Sequence, residues 1–293
     1  AGTKTVVVLQ QLETGTTAVR QATGCQLQPC LVHLAAGHQD RAGLFSSRRR
    51  HTRWCYGLGN QGHLGIGEPN EEGDTIYNGA RDNASGVAVV LAIARALKAL
   101  PEAPRRSSLF ALVGAEEQGL LGSLYYANNP TFAPGRIAAN INYDNPNILG
   151  DTHDVTFVGL GKSSIDQILE LIAEEQGREV KPDQFADKGY FYRSDQFSLA
   201  KIGVPAMYLK PGTEYVDRPP GWGREQQEHY TNVHYHQPSD EYNDSWDFSG
   251  LIEDALLGYW TGLAIGNTDE MPAWNPGDEF EAARQKAISE LGE

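Results

Sequence analysis

Cysteine is scarce in this sequence and absent after residue 55. Cys25, Cys30 and Cys55 are the three cysteines among 293 residues. Their spacings match neither a zinc knuckle nor the even-numbered framework of a disulfide-rich domain. The pattern therefore indicates neither a disulfide scaffold nor a cysteine-bound structural zinc.

Long apolar runs and a surplus of positive charge are also missing. No apolar run approaches the roughly 20 residues that a transmembrane helix needs, and the N-terminal AGTKTVVVLQ lacks the pattern of a signal peptide. The 24 Lys and Arg are outnumbered by 38 Asp and Glu, so the formal net charge is -14. Because phosphate binding needs a basic face, this balance argues against nucleic acid and favours a small or cationic ligand, or a metal.

The basic residues that are present concentrate near the N-terminus. Residues 1–59 contain seven Lys and Arg against two acids, and they include the arginine-rich stretch SSRRRHTRW. Within this segment only TKTVVVLQQL predicts a strand. We therefore divide the chain into an aberrant or incomplete segment, 1–59, and a single domain over 60–293.

The remainder of the chain alternates in the manner of an α/β protein. Short apolar runs typical of buried strands are separated by stretches with a helical apolar period. The strands are predicted at 107–117, 137–144, 154–161 and 204–210. Helices are predicted at 83–100, 163–177, 247–266 and 277–292.

Acidic side chains occur where these predicted strands end. Asp82 lies in YNGARDNASG, the pair Glu116 and Glu117 in LVGAEEQG, and Asp144 in NINYDNP. Each has an ordinary alternative: Asp82 as a helix cap, the glutamates as a solvated pair, and Asp144 as a turn residue. The carboxyl ends of strands in an open α/β sheet share one edge, where such folds place their sites.

Two histidines, His234 and His236, follow late in the chain within VHYHQPSDEY. A lone histidine is more often structural than a ligand, so neither is informative alone. Three acidic strand ends combined with a late histidine are better explained by a metal centre.

The order of these motifs resembles peptidase family M28, which contains zinc aminopeptidases. The resemblance covers roughly residues 60–293 and rests on GARDNASG, GAEEQGLLGS, NINYD, YRSDQFSLAKIGVPAMYL and YHQPSDEY. It implies a three-layer α/β/α sandwich with a mixed, mostly parallel central sheet. It also implies a secreted or periplasmic location and, as substrate, a peptide with a free N-terminus.

The resemblance further implies a role for each acidic residue. Asp82 would bridge two zinc ions, Glu117 and His236 would bind one of them, and Asp144 would bind the other. Glu116 would be the general base, taking a proton from a water that the ions activate and passing it to the leaving amine. Tyr192 is a candidate for holding the tetrahedral intermediate.

The chain departs from the family pattern ahead of Asp82. The family has a His-x-Asp there, but this sequence has Asn60 and Gly62, which would leave one zinc short of a ligand. A His-x-Asp does occur upstream, at His38 and Asp40. Between the two, SSRRRHTR resembles the translation of a sequencing adapter, with a basic surface loop as the alternative.

Two other functions therefore stay open at this point. A chain that lacks the first histidine ligand could be a non-catalytic scaffold of the same fold. The fold could also carry a carboxypeptidase-like or glutaminyl-cyclase-like activity.

Overall fold

The computed structural model describes residues 5–7, 55–56, 65–102 and 104–292, and this part of the chain contains ten β-strands and seven α-helices. The strands are β1 Thr5–Val7, β2 Cys55–Tyr56, β3 Gly65–Ile66, β4 Ile76–Tyr77, β5 Ser107–Leu109, β6 Ala111–Leu112, β7 Asn140–Tyr143, β8 Asp154–Val158, β9 Glu179–Pro182 and β10 Ala206–Pro211. The helices are α1 Gly86–Lys98, α2 Leu121–Asn128, α3 Ile165–Glu175, α4 Gln196–Ala200, α5 Trp222–Val233, α6 Ser249–Asn267 and α7 Glu281–Ser289.

The described strands form one mixed four-stranded sheet and three two-stranded pairs, with more parallel than antiparallel pairings. The four-stranded sheet has the strand order β7-β10-β8-β9. β10 runs parallel to β7 and antiparallel to β8, and β8 runs parallel to β9. Two further parallel pairs join β1 to β5 and β2 to β6, while β3 and β4 form an antiparallel pair. The prediction of a mixed, mostly parallel sheet is confirmed.

Strand β10 has helices and loops packed on both of its faces. Met207 and Leu209 belong to the main hydrophobic core, together with residues of α1, α3 and α6. Ala206 and Tyr208, which point the other way because side chains alternate along a strand, belong to a second cluster that includes Ala200 of α4. The sheet therefore forms the middle of three layers, as expected.

The predicted helices and strands are largely present, with one instructive difference. The run 107–117 was predicted as one strand, but strand pairing ends at Leu112, and Glu116 and Glu117 lie in a 3-10 turn, Glu116–Gln118. This turn is entered through Ala115 in the left-handed region, at φ 57°. Both glutamates therefore belong to a turn, in which neighbouring side chains need not point to opposite faces.

Some elements escaped sequence analysis because their residues lack an apolar period. Helix α5 is largely polar and buries Gly223 and Tyr230. Strand β9 is exposed at both of its ends, and β2 falls in a segment expected to be loop. Among the described residues, no helix is long and apolar enough to cross a membrane.

Candidate metal centre

Asp82 lies in a tight turn between β4 and α1, and its side chain is buried at 5% exposure. The neighbouring Asn83 performs the capping: its Oδ1 accepts a hydrogen bond from the Gly86 amide at 3.0 Å. Asn83 Nδ2 also donates to the carbonyl of Tyr143, at 2.9 Å, which ties the turn to the end of β7. The alternative interpretation of Asp82 as a helix cap is therefore wrong, and its carboxylate is left for the site.

The backbone of this turn is held by Asp240. Its two carboxylate oxygens accept hydrogen bonds from the amides of Arg81 and Asp82, each at 3.0 Å. Tyr230 Oη donates a third hydrogen bond, at 3.1 Å. Asp240 is 3% exposed. Because Asp240 follows His236 by four residues, one short segment both supplies a predicted ligand and fixes the position of another.

Glu117 and His236 meet Asp82 in a compact group. His236 Nε2 lies 2.7 Å from Glu117 Oε1 and 3.3 Å from Asp82 Oδ2. One potential ligand atom from each of the three residues lies within 4.8 Å of the other two. His236 has φ 60°, in the left-handed region that few non-glycine residues adopt. The ring of Tyr235 stacks on the imidazole with centroids 3.7 Å apart.

Asp144 stands beside this group at the end of β7. Its Oδ2 accepts hydrogen bonds from Ser194 Oγ, at 2.7 Å, and from Tyr208 Oη, at 3.3 Å. Its negative charge contributes to raising the pKa of Asp82 and of Glu116. The structure thus brings Asp82, Glu117 and His236 together and places Asp144 within electrostatic range of them.

Burial and neighbouring charges disfavour ionisation of Glu116 and Asp82. Burial, followed by the charges of Asp144 and Glu117, raises the pKa of Glu116 to about 9. Burial also raises the pKa of Asp82. Although burial alone lowers the pKa of His236, its hydrogen bonds with Asp82 and Glu117 raise that pKa to about 9. Buried like charges are costly unless a cation compensates them, and this set of oxygen and imidazole donors fits zinc.

Two other residues singled out from the sequence, His234 and Tyr192, contact other side chains. His234 Nδ1 lies 2.9 Å from Ser239 Oγ, and its ring packs against those of His229 and Tyr230. Tyr192 Oη donates to Glu279 Oε1 at 2.7 Å, on the segment before α7. The role of Tyr192 in holding the tetrahedral intermediate stays a prediction.

Sequence reasoning missed three residues that support the predicted ligands: Ser194, Tyr208 and Asp240. Each lies inside one of the motifs given above, but neither its residue type nor its spacing predicts a role in the site. Other residues of the sequence analysis lie outside the described residues: His38, Asp40, Asn60, Gly62 and the stretch SSRRRHTR.

The fold and this acidic edge define an α/β protein with a candidate divalent-metal site at the ends of its strands. Residues 57–259 match the model of Peptidase family M28. The chain belongs to this family of peptide hydrolases, which confirms the resemblance drawn from the motifs.

Known relatives agree with this assignment over part of their length. The chain is similar to leupeptin-inactivating enzyme 1 of Streptomyces exfoliatus, at 31% identity over 146 residues, which cover 49% of this chain and 32% of the relative. It is similar to leucine aminopeptidase 2 of Trichophyton rubrum at 31% identity, over 48% of this chain and 29% of the relative. The chain thus spans about a third of the length of these curated relatives.

A solved structure shows the same fold. The crystal structure of Legionella pneumophila LapA aminopeptidase superposes with a TM-score of 0.51 at 17% identity, covering 67% of this chain and 49% of that one.

Proposed function

We propose that this protein is a zinc-dependent aminopeptidase that removes N-terminal residues from peptides. The observation that carries the proposal is the convergence of Asp82, Glu117 and His236, whose ligand atoms lie within 4.8 Å of one another. The names of the curated relatives support a peptidase, and one of them is a leucine aminopeptidase.

The proposed ligand roles are those that the family resemblance implies for the residues around Asp82. Asp82 would be shared between two zinc ions, with Glu117 and His236 on one ion and Asp144 on the other. Zinc, when bound, supplies a Lewis acid that polarises the scissile carbonyl and lowers the pKa of a bound water. Ser194 and Tyr208 orient the Asp144 carboxylate by donating hydrogen bonds to Oδ2.

Glu116 would move the proton. It lies next to the ligand Glu117 in the same 3-10 turn. Its carboxylate accepts a proton from the attacking water and then donates it to the leaving amine. Without a cation, burial and the surrounding carboxylates raise the pKa of Glu116 to about 9. The positive charge of bound zinc would lower that pKa and leave the carboxylate ionised, ready to accept the proton.

We further propose that the substrate is a peptide with a free N-terminus, as the resemblance to zinc aminopeptidases implies. Location outside the cytoplasm, which the family resemblance implies, forms part of the same proposal.

The experiment is hydrolysis of leucine p-nitroanilide by the zinc-loaded protein, with total zinc measured in the same sample. We expect turnover that a chelator abolishes and that Glu116→Gln lowers by at least about 100-fold, as expected for a general base. Glu174→Gln, at an exposed position of α3, is the matched control and should retain full activity.

Two outcomes would contradict the proposal. Turnover that survives Glu116→Gln would exclude Glu116 as the base. One zinc or none per chain, with no turnover, would favour the non-catalytic scaffold, as expected if no histidine replaces the missing ligand.

A further inference from the structure

A small pocket opens between the end of β10, the segment after β9 and the start of α5. It encloses about 390 Å³ of empty space, including its mouth. Its walls are largely apolar and aromatic, with Phe185, Pro211 and Tyr215 among them, and Lys210 is the one lysine or arginine in its lining. The ligand roles proposed above leave this pocket without a function.

Lys210 connects the pocket to the candidate metal centre. Its Nζ donates a hydrogen bond to Tyr208 Oη at 3.0 Å. The same hydroxyl lies 3.3 Å from Asp144 Oδ2. Lys210 Nζ is therefore within two hydrogen-bond lengths of a predicted zinc ligand. The two side chains lie on the same face of β10 because they are two residues apart.

Lys210 has capacity for another hydrogen-bond acceptor. Burial lowers the pKa of its side chain, so an anion bound beside Nζ would favour the charged ammonium form. An ammonium group has three N–H donors, and the Tyr208 hydroxyl takes one of them. Its other close neighbour is the ring of Tyr190, whose centroid lies 4.5 Å from Nζ. Among the described residues, no carboxylate comes within ion-pair distance of Nζ.

The charges around the pocket favour an anion. Arg81 is buried at 2% exposure, and its Nη2 donates to Oε1 of Gln227, a pocket-lining residue, at 2.9 Å. The acidic residue in the lining is Asp183, one of whose oxygens accepts the Phe185 amide at 2.9 Å. The charges of Asp82 and Asp144 also act on Lys210, but both residues are proposed zinc ligands. Asp183, which is already hydrogen-bonded, is then the acid that remains to oppose Lys210 and Arg81.

From this arrangement we propose that Lys210 binds a carboxylate of the substrate, and that the pocket accepts an acidic side chain on the N-terminal residue. The proposal rests on the proposed function, in which the carbonyl of that residue reacts at the metal centre. A Glu side chain places its carboxylate about 4–5 Å from its own Cα, which matches a lysine two hydrogen bonds from Asp144. The carboxylate of a long peptide's C-terminus would lie farther away.

The test compares kcat/KM for the p-nitroanilides of glutamate and leucine, which have no C-terminal carboxylate. In Lys210→Met, which keeps the length of the side chain and removes its charge, we expect the glutamate substrate to lose about 10- to 100-fold. The leucine substrate should change by less than about 3-fold. Lys181→Met is the matched control, because Lys181 on β9 pairs with Glu214 at 2.6 Å and does not line the pocket.

Equal losses for both substrates in Lys210→Met, with unchanged zinc content, would overturn the proposal and assign Lys210 a general electrostatic role. A loss of kcat/KM in Lys210→Met for Leu-Gly, but not for Leu-Gly amide, would also overturn the proposal. It would show that Lys210 binds the C-terminal carboxylate of the substrate. If neither substrate is hydrolysed by the unsubstituted zinc-loaded protein, the proposed function itself fails.

Discussion

Asp240 and Asp82, which are 158 residues apart in the chain, are joined by a hydrogen bond of 3.0 Å from the Asp82 amide to the Asp240 carboxylate. The other oxygen of Asp240 accepts the Arg81 amide at the same distance. Because both contacts are to the backbone, Asp240 sets the position of the turn and leaves the Asp82 carboxylate available to the proposed metal ion.

We therefore predict that Asp240→Asn weakens zinc binding about 10- to 100-fold, the usual cost of losing a group that orients a ligand. The asparagine side chain has one acceptor oxygen, whereas the backbone amides of Arg81 and Asp82 each use a separate oxygen of Asp240. Zinc affinity is measured by competition with a chromophoric chelator. Asp154→Asn is the control, because buried Asp154 also accepts two backbone amides, at 3.1 and 2.8 Å, but from Thr213 and Glu214. Equal loss in both variants would show a general folding defect.

Zinc should stabilise the folded chain through His236 and not through His234. Ligand binding to the native state adds about 2.7 kcal/mol at a free concentration 100-fold above the dissociation constant. We expect a zinc-dependent rise of several degrees in Tm, retained in His234→Ala and reduced in His236→Ala. Differential scanning fluorimetry with and without chelator measures the shift. Equal zinc-dependent shifts in the two variants would contradict the assignment of His236 as a ligand.

The buried ion pair between Arg178 and Asp254 should contribute strongly to stability. Arg178 Nη2 lies 2.7 Å from Asp254 Oδ1, and both side chains are nearly inaccessible to solvent. Arg178→Met leaves the Asp254 charge buried without its partner, so we expect a loss of about 3–5 kcal/mol in the free energy of unfolding. Urea denaturation provides the measurement. Arg105→Met, at an exposed pair with Asp269, should cost less than about 1 kcal/mol.

Glu253 predicts a specific pH dependence of stability. Burial raises its pKa to about 7, although the charge of Arg178 acts in the opposite direction. Between the pKa of an unfolded glutamate and pH 7 the folded state holds more protons, so stability falls as pH rises through this window. In Glu253→Gln the decline between pH 5 and 8 should be shallower than in the unsubstituted protein. An identical decline would show that Glu253 does not titrate in this range.

The sequence singles out the acidic residues of the candidate site because they occur in a recognisable order of motifs near strand ends. The motif order points to Asp82, Glu117 and His236, and the fold brings them together. Asp240 could not be chosen the same way, since its role depends on a pairing across 158 residues that no local pattern encodes.

Helix α5 and the role of Tyr208 were not predicted from the sequence, for local reasons. Helix α5 presents few apolar residues to the core, so it lacks the periodic signal on which helix prediction depends. Tyr208 was read as one apolar residue of a strand, although its hydroxyl reaches Asp144. The predicted division at residue 60 stays a prediction.

The two faces of strand β10 restrict amino-acid substitution in different ways. Met207 and Leu209 pack into the main core, whereas Tyr208 and Lys210 on the opposite face lead toward Asp144 and the pocket. Substitutions at the first pair are limited by volume and shape, as in any close-packed interior. Substitutions at Lys210 can alter the charge of the pocket while leaving that core intact. If the pocket binds substrate as proposed, substitution at Lys210 would allow substrate preference to evolve without changes in the hydrophobic core.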